Sequence, residues 1–339
     1  MGYTINQCYN PLSFVFPLQI QIQIAFIHFR EMMYTNARTI RLDPKYVHAV
    51  IYKLPAPALR IFIIIGILTM FGVPPAHSTV NAQRIVTLGA AITETTAALG
   101  FGAHIVATDV TSEYPAFIKS LPKVSRNRNL SVEGLMQFKP SLVLAPEGDI
   151  PAAVLAQLKK AKVTVINIRQ EFSVKGAEKF ILAVAISLNA KKEGIELLRQ
   201  MQQQLNAVTT EVAGNKQKPV KVLFIYARGA GNMTVAGKGS NMDAIIHLAG
   251  GVNAVKEFTE FKPYSTEALI AANPDVLLFF DFGAKSLGGL SSILNMPGVK
   301  LTNAGKAKRI VEVDGPLMIN FAARLPDAIN ELHHKLYQK

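Results

Sequence analysis

From residue 83 onward, short apolar runs rich in β-branched residues alternate with segments whose apolar positions recur every three or four residues. The first kind of pattern predicts strands and the second amphipathic helices. Arg84–Leu88 (RIVTL) reads as a strand, after which Gly89 turns the chain. Thr93-Glu94 then opens a helical segment that stops at Leu99-Gly100. His104–Thr108 (HIVAT), Leu142–Ala145 (LVLA) and Val163–Ile168 (VTVINI) predict further strands, with a helix over Val154–Lys162. Strands that alternate with helices predict a parallel α/β sheet.

Between Ser173 and Val212 there is no proline and no convincing strand. Ala177, Phe180, Ile181, Val184, Ala185 and Leu188 mark one helical face, and Ile195, Leu198, Met201, Leu205 and Val208 continue the period. Asn189 offers a break between two helices. Beyond the polar linker Gly214–Pro219 the first pattern returns. Lys221–Tyr226 predicts a strand and Met242–Gly250 a helix. Ser265–Ala272 predicts a short helix, Val276–Phe280 and Arg309–Val313 strands, and Ala322–Tyr337 an amphipathic closing helix. The reading is two α/β lobes joined by a long helical segment.

One phrase occurs in both halves: a short helix opened by serine, then a proline, then an apolar strand. The copies are Ser131–Val143 (SVEGLMQFKPSLV) and Ser265–Val276 (STEALIAANPDV). In each, serine caps the helix and a glutamate, Glu133 or Glu267, sits in the first turn, where the helix dipole favours a carboxylate.

The chain before residue 83 follows another grammar. Lys53 and Arg60 precede the uncharged apolar run Ile61–Phe71, and Gly72, Pro74 and Pro75 end it. Small residues then offer cleavage near Ser78 or Ala82. This is the three-part layout of a secretory signal peptide over 53–82, with an uncut membrane anchor as the alternative. The run is shorter than the roughly 20 residues that span a bilayer. No cysteine follows it, so a lipid-anchored form is not expected. Residues 1–52, with glutamines and isoleucines interleaved through Phe14–Phe29, read as a non-native extension, with translation starting further downstream. The expected organisation is therefore 1–52 extension, 53–82 signal peptide, 83–170 N-terminal lobe, 171–214 connecting helix and 215–339 C-terminal lobe.

Composition narrows the function. Half of the 339 residues are apolar and 17% are charged, which suits a folded chain with a sizeable core. The single cysteine, Cys8, excludes an internal disulfide framework and a multi-cysteine metal site. The net charge of +13 invites a nucleic-acid reading, but the lysines are dispersed and no DNA- or RNA-binding motif accompanies them. No G-x-S-x-G elbow, H-E-x-x-H zinc motif or G-x-x-x-x-G-K-[ST] loop occurs, so nothing points to an enzyme. The glycines of Gly229–Gly239 suit a ligand-facing loop instead.

The stretches RIVTLGAAITETTAALGFG (84–102), ATDVTSEYP (107–115), LPKVSRNRNLSVEGLMQFKPSLVLA (121–145), VAGKGSNMDAIIHLAGGVNAV (235–255) and YSTEALIAANPDVLL (264–278) occur in the order and spacing of a known family. The chain from 84 to 335 resembles the helical-backbone substrate-binding proteins of ABC importers for haem, cobalamin and ferric siderophores. The resemblance implies a class III periplasmic binding protein fold, with two Rossmann-like lobes held rigidly by a backbone helix. It also implies a periplasmic location and no catalytic activity.

Within that family, Thr111-Ser112-Glu113-Tyr114-Pro115 and Ala236–Gly251 are similar to the haem branch. The resemblance implies haem b as the transported ligand, with Tyr114 as axial ligand of a five-coordinate iron. A phenolate oxygen is a known haem ligand. Cobalamin binders carry an aromatic in the same loop, so cobalamin or a ferric siderophore stays open as cargo. Arg126, Arg128, Arg228 and Lys238 are the candidate partners of the propionates, since a guanidinium suits a carboxylate. His104, His247, His333, His334 and Met233 offer no convincing second ligand. The family motif also implies that Glu133 and Glu267 dock onto arginines of the transporter permease, through it to the ATPase, with an outer-membrane haem receptor system upstream.

Overall fold

The computed structural model describes residues 83–125, 129–229 and 233–337. The extension, the signal peptide and Cys8 lie outside the described residues, as do Arg126 and Arg128.

The first lobe is built on a parallel sheet in the order β2-β1-β3-β4, with β1 at Ile85–Thr87, β2 at Ile105–Thr108, β3 at Leu142–Pro146 and β4 at Thr164–Ile168. Both faces of its centre are covered, which is why β1 and β3 read as apolar runs and not as alternating ones. Ile85, Leu142 and Leu144 pack toward Ile92, Phe180 and Val184 on one face. Val86, Val143 and Ala145 pack toward Leu135, Val154 and Leu158 on the other. After β1 the chain turns at Gly89, whose φ of 85° lies in the left-handed region, and enters the helix Ala90–Thr96 a turn earlier than the sequence pattern indicates.

The connection consists of two helices. Ser173 caps the first, Val174–Ser187, by accepting a hydrogen bond from the Gly176 amide at 3.0 Å. Asn189, at φ 56°, makes the left-handed break. The second helix, Lys191–Gly214, has 24 residues and so runs for about 36 Å. Leu197, near its start, packs against the first lobe's Ile92–Phe180 cluster. Leu205 and Val208, further along, join the second lobe's core with Phe224, Leu278 and Ile329. One unbroken helix is thus a core element of both lobes.

The second lobe carries a mixed sheet, β10-β9-β5-β6-β8, with β7 (Val252–Asn253) also on β5. β5 (Lys221–Tyr226), β9 (Val276–Phe280) and β10 (Ile310–Val313) run parallel, whereas β6 (Thr234–Ala236) and β8 (Phe261–Pro263) are antiparallel. The purely parallel expectation holds for the first lobe and is modified here by a short antiparallel edge. β9 is buried throughout because Val276, Leu278 and Phe280 feed one core and Leu277 and Phe279 the other.

The closing helix begins at Leu325, not Ala322. Residues 320–324 have left the helical path to form a strap that returns to the first lobe. Ala322 is buried in the first lobe's core, Gln170 Nε2 donates to the carbonyls of Asn320 (3.3 Å) and Phe321 (3.4 Å), and the Phe321 ring meets Phe172 edge-on. No helix among the described residues is long and apolar enough to cross a membrane.

Candidate functional site

The carboxyl ends of β1, β3, β5, β9 and β10 converge on one cleft of about 1200 Å³ between the lobes. Ligands of open α/β sheets bind at this end of the strands. The first-lobe wall is made by Gly89–Ile92, Pro146, Phe180 and the loop residues Val110, Thr111 and Glu113. The second-lobe wall is aromatic, with Tyr226, Phe261, Phe280 and Phe282. The Phe280 and Phe282 rings lie 5.4 Å apart, and Tyr226 meets both nearly edge-on. Among the aromatic rings the wall also carries Asp281 and Asp314; its aromatic part suits a large, flat, apolar face of a ligand.

The cation on that wall is Arg228. Its Nε donates to the Tyr226 hydroxyl at 2.6 Å, and its guanidinium lies 5.1 Å from the Phe282 ring centre. The ring contacts orient the side chain while leaving its other N–H groups available. Lys238 is exposed and stands apart from the cleft lining.

Tyr114 stands beside the lining residue Glu113, 45% exposed, on a loop held by a chain of hydroxyls. Thr93 Oγ1 donates to Thr87 Oγ1 at 2.8 Å and lies 2.7 Å from Ser112 Oγ. Ser112 Oγ donates to Asp109 Oδ1 at 2.5 Å, and the Thr111 hydroxyl donates to the other oxygen of the same carboxylate. Lys123 Nζ donates to Thr108 Oγ1 and to the Ser112 carbonyl, each at 2.8 Å. Burial pushes the Lys123 ammonium below the usual lysine range, and the charges of Asp109 and Glu113 restore only part of the loss. The loop preceding Tyr114 is therefore pinned to the sheet rather than free.

A second-lobe cation reaches this tyrosine. The Arg324 guanidinium carbon sits 3.7 Å from the centre of the Tyr114 ring. Arg324 also makes two hydrogen bonds to the buried Glu94, at 2.8 and 2.6 Å, and Asn320 Nδ2 donates to Glu94 at 2.5 Å. Burial works against the Arg324 charge, but the Glu94 hydrogen bonds and charge, with Tyr114 and Asp314, outweigh it and raise its pKa.

The sequence pattern pointed to neither Glu94 nor Arg324 as site residues. The available signal was a carboxylate inside a small, otherwise uncharged helix that is buried on every side, because a buried charge requires a partner. Its partner lies 230 positions away and could not be paired with it from spacing.

Glu133 and Glu267 are both exposed, each in the first turn of a serine-capped helix. Ser131 Oγ accepts from the Gly134 amide at 3.0 Å and Ser265 Oγ from the Ala268 amide at 3.1 Å. Hydrogen bonds from its own backbone amide and from Ser265 hold Glu267 below the usual carboxylate range. None of the four histidines after residue 82 lines the cleft, and Met233 packs against the second lobe's core. No cluster able to hold a metal ion by histidine, cysteine and carboxylates occurs among the described residues.

Comparison with known proteins agrees with this architecture. The family model described as periplasmic binding protein matches residues 85–317. The periplasmic heme-binding protein BhuT, solved with two hemes, is 38% identical, with a TM-score of 0.71, covering 75% of this chain and 97% of that one. RhuT from Roseiflexus sp. RS-1, a periplasmic heme-binding protein in apo form, is 35% identical, with a TM-score of 0.72, covering 75% and 98%. Among sequence relatives, an uncharacterized ABC transporter substrate-binding lipoprotein of Bacillus subtilis is 28% identical over 75% of this chain and 80% of its own length. A vitamin B12-binding protein of Vibrio cholerae is 24% identical over 58% and 70%. The chain belongs to the periplasmic binding protein family, whose members bind a solute outside the cytoplasm for an ABC transporter and are not enzymes.

Proposed function

We propose that this periplasmic binding protein captures haem b in the cleft between its lobes and delivers it to an ABC importer. The observation that carries the reading is an aromatic second-lobe wall facing a first-lobe loop that is pinned to the sheet and carries the exposed Tyr114 next to the cleft residue Glu113. The flat macrocycle lies against Tyr226, Phe280 and Phe282, and the Tyr114 oxygen ligates ferric iron, a hard cation that accepts a phenolate. Arg228 takes a propionate through a charge-assisted hydrogen bond. A cleft of about 1200 Å³ exceeds the roughly 300–1,000 Å³ of an ordinary small-ligand pocket and has room for a porphyrin. The likeness to heme-binding structures supports the cargo.

Glu133 and Glu267 present a carboxylate on each lobe from a helix start that fixes its direction. We read them as docking points for cations of the permease, with the ATPase behind it; such charges set orientation and encounter rate more than affinity. In a reconstituted importer, Glu133→Ala and Glu267→Ala should lower haem-stimulated ATP hydrolysis without changing haem binding. Unchanged hydrolysis in the double variant would remove the docking role. The haem would reach this protein from an outer-membrane receptor system.

The test of cargo is titration of residues 83–339 with haemin, followed by absorption, beside Tyr114→Phe. A saturable Soret band with a high-spin ferric tyrosinate signature that the variant lacks supports both cargo and ligand. A band unaltered in the variant moves the iron to another ligand. Saturable binding of cyanocobalamin in place of haemin overturns the cargo in favour of that of the vitamin B12-binding relative.

A further inference from the structure

The lobes are joined twice. Apart from the connecting helices, the strap 320–324, which follows the cleft residue Ile319, fastens to the first lobe by a hydrophobic plug and a buried polar lock. The plug is Ala322, which sits in the Ile92–Phe180 core. The lock is Glu94, whose side chain is 3% exposed. Its carboxylate takes Arg324 bidentately and Asn320 singly, so both oxygens are committed to the other lobe. A bidentate pair fixes the plane of the guanidinium as well as its position. That plane carries the Tyr114 ring 3.7 Å away. Phe321, between the two donors, is buried at φ 26°, a left-handed conformation that is strained for a bulky residue and persists only where its surroundings hold it.

We infer that Glu94 is a positioning residue: it locks the second lobe's strap onto the first lobe, setting the width of the cleft and the place of the Tyr114 ring through Arg324. This deepens the haem reading, but the lock itself is a property of the empty protein. Besides Glu94 itself, the groups whose charge acts on Arg324 are Tyr114 and Asp314. Neither of these stands in for Glu94, because no other carboxylate hydrogen-bonds Arg324 among the described residues.

The experiment uses the chain without haem. Residues 83–339 contain no cysteine, so nitroxides can be placed one per lobe at the exposed Lys160→Cys and Lys306→Cys and their separation measured by pulsed electron resonance. With Glu94 the distribution should be narrow. Glu94→Gln should make it roughly twice as broad, with intensity at longer distances, because the strap is then free to open locally. It should also move the NMR signals of the Tyr114 ring, and Glu94→Asp should restore part of both. If Glu94→Gln fails to fold, Asn320→Ala removes a single hydrogen bond and should broaden the distribution less. A distribution and ring signals identical to those of the parent chain overturn the inference. Because haem is absent, failure of the haem reading leaves this result standing, and a correct haem reading does not rescue it.

Discussion

Gly194 sets how closely the two connecting helices approach, and the cost of filling it follows from geometry. A Cβ at residue 194 would lie 2.4 Å from the Ala185 Cβ on the neighbouring helix. Carbon atoms rest at about 3.5–4.0 Å, so Gly194→Ala must push the helices apart by roughly 1 Å or more. Overpacking of this kind costs about 1–3 kcal/mol. Against it stands the helix propensity of alanine over glycine, about 0.8–1.0 kcal/mol. The net expectation is a loss on the order of 1 kcal/mol. Gly214→Ala is the control, since nothing lies within 4 Å of its added carbon; it should be neutral or stabilising. Ala185→Gly combined with Gly194→Ala moves the methyl group across the contact and should return stability close to that of the parent, a coupling of about 1–2 kcal/mol. Urea unfolding of residues 83–339, followed by circular dichroism, measures all five proteins, the parent, Gly194→Ala, Gly214→Ala, Ala185→Gly and the double variant. A Gly194→Ala chain as stable as the parent, or one that Ala185→Gly does not rescue, would refute the claim that this contact spaces the helices.

Two further outcomes are expected. Burial would raise the Asp275 carboxyl, but hydrogen bonds from Asn303 and the Lys221 amide, with the charges of Lys221 and Lys218, hold it below its ordinary range. Its contribution is therefore present above pH ~4 and lost as pH falls through the depressed folded value. Asp275→Asn should lower stability at pH 7, and the gap should close in acid; a gap independent of pH removes the assignment. Arg228→Ala deletes the charge-assisted donor of the second-lobe wall and should weaken haemin binding about 10- to 100-fold in an absorption titration, the equivalent of about 1.5–3 kcal/mol. Unaltered affinity would place the propionates elsewhere.

The elements that the sequence made legible are those whose signal is local. β5 and β9 fall on their predicted bounds because an unbroken apolar run between polar linkers has one reading. Ser131 and Ser265 cap helices, and Asn189 breaks the connection, because capping and left-handed turns depend on side chains within a few residues. The three-residue strands β6 and β8 were missed, since only pairing with β5 and with each other makes them strands. From its sequence the closing helix begins at Ala322, because alanine suits a helix. Burial of that methyl group in the other lobe overrides the propensity, and no local pattern announces it. In the site the same division holds. Of the two second-lobe loop cations that the sequence offers, Arg228 lines the cleft, whereas Lys238 is exposed and outside the lining. Arg324 was hidden in an apparent helical face.

The strap also imposes an order in time. Glu94 and the first lobe's core are made early, but the residues that complete them arrive 226 to 230 positions later. Until then the nascent first lobe holds a carboxylate destined for burial with no cation to meet it, and its core lacks the Ala322 methyl. Contacts this distant in sequence form late, because the loop must close before they repay it. A fragment ending at residue 319 should accordingly stay sensitive to protease across 83–170, and a resistant fragment would show that the lobe finishes alone. Members of this family work outside the cytoplasm, and a first-made half that stays incomplete until the last segment emerges would resist folding before it arrives there.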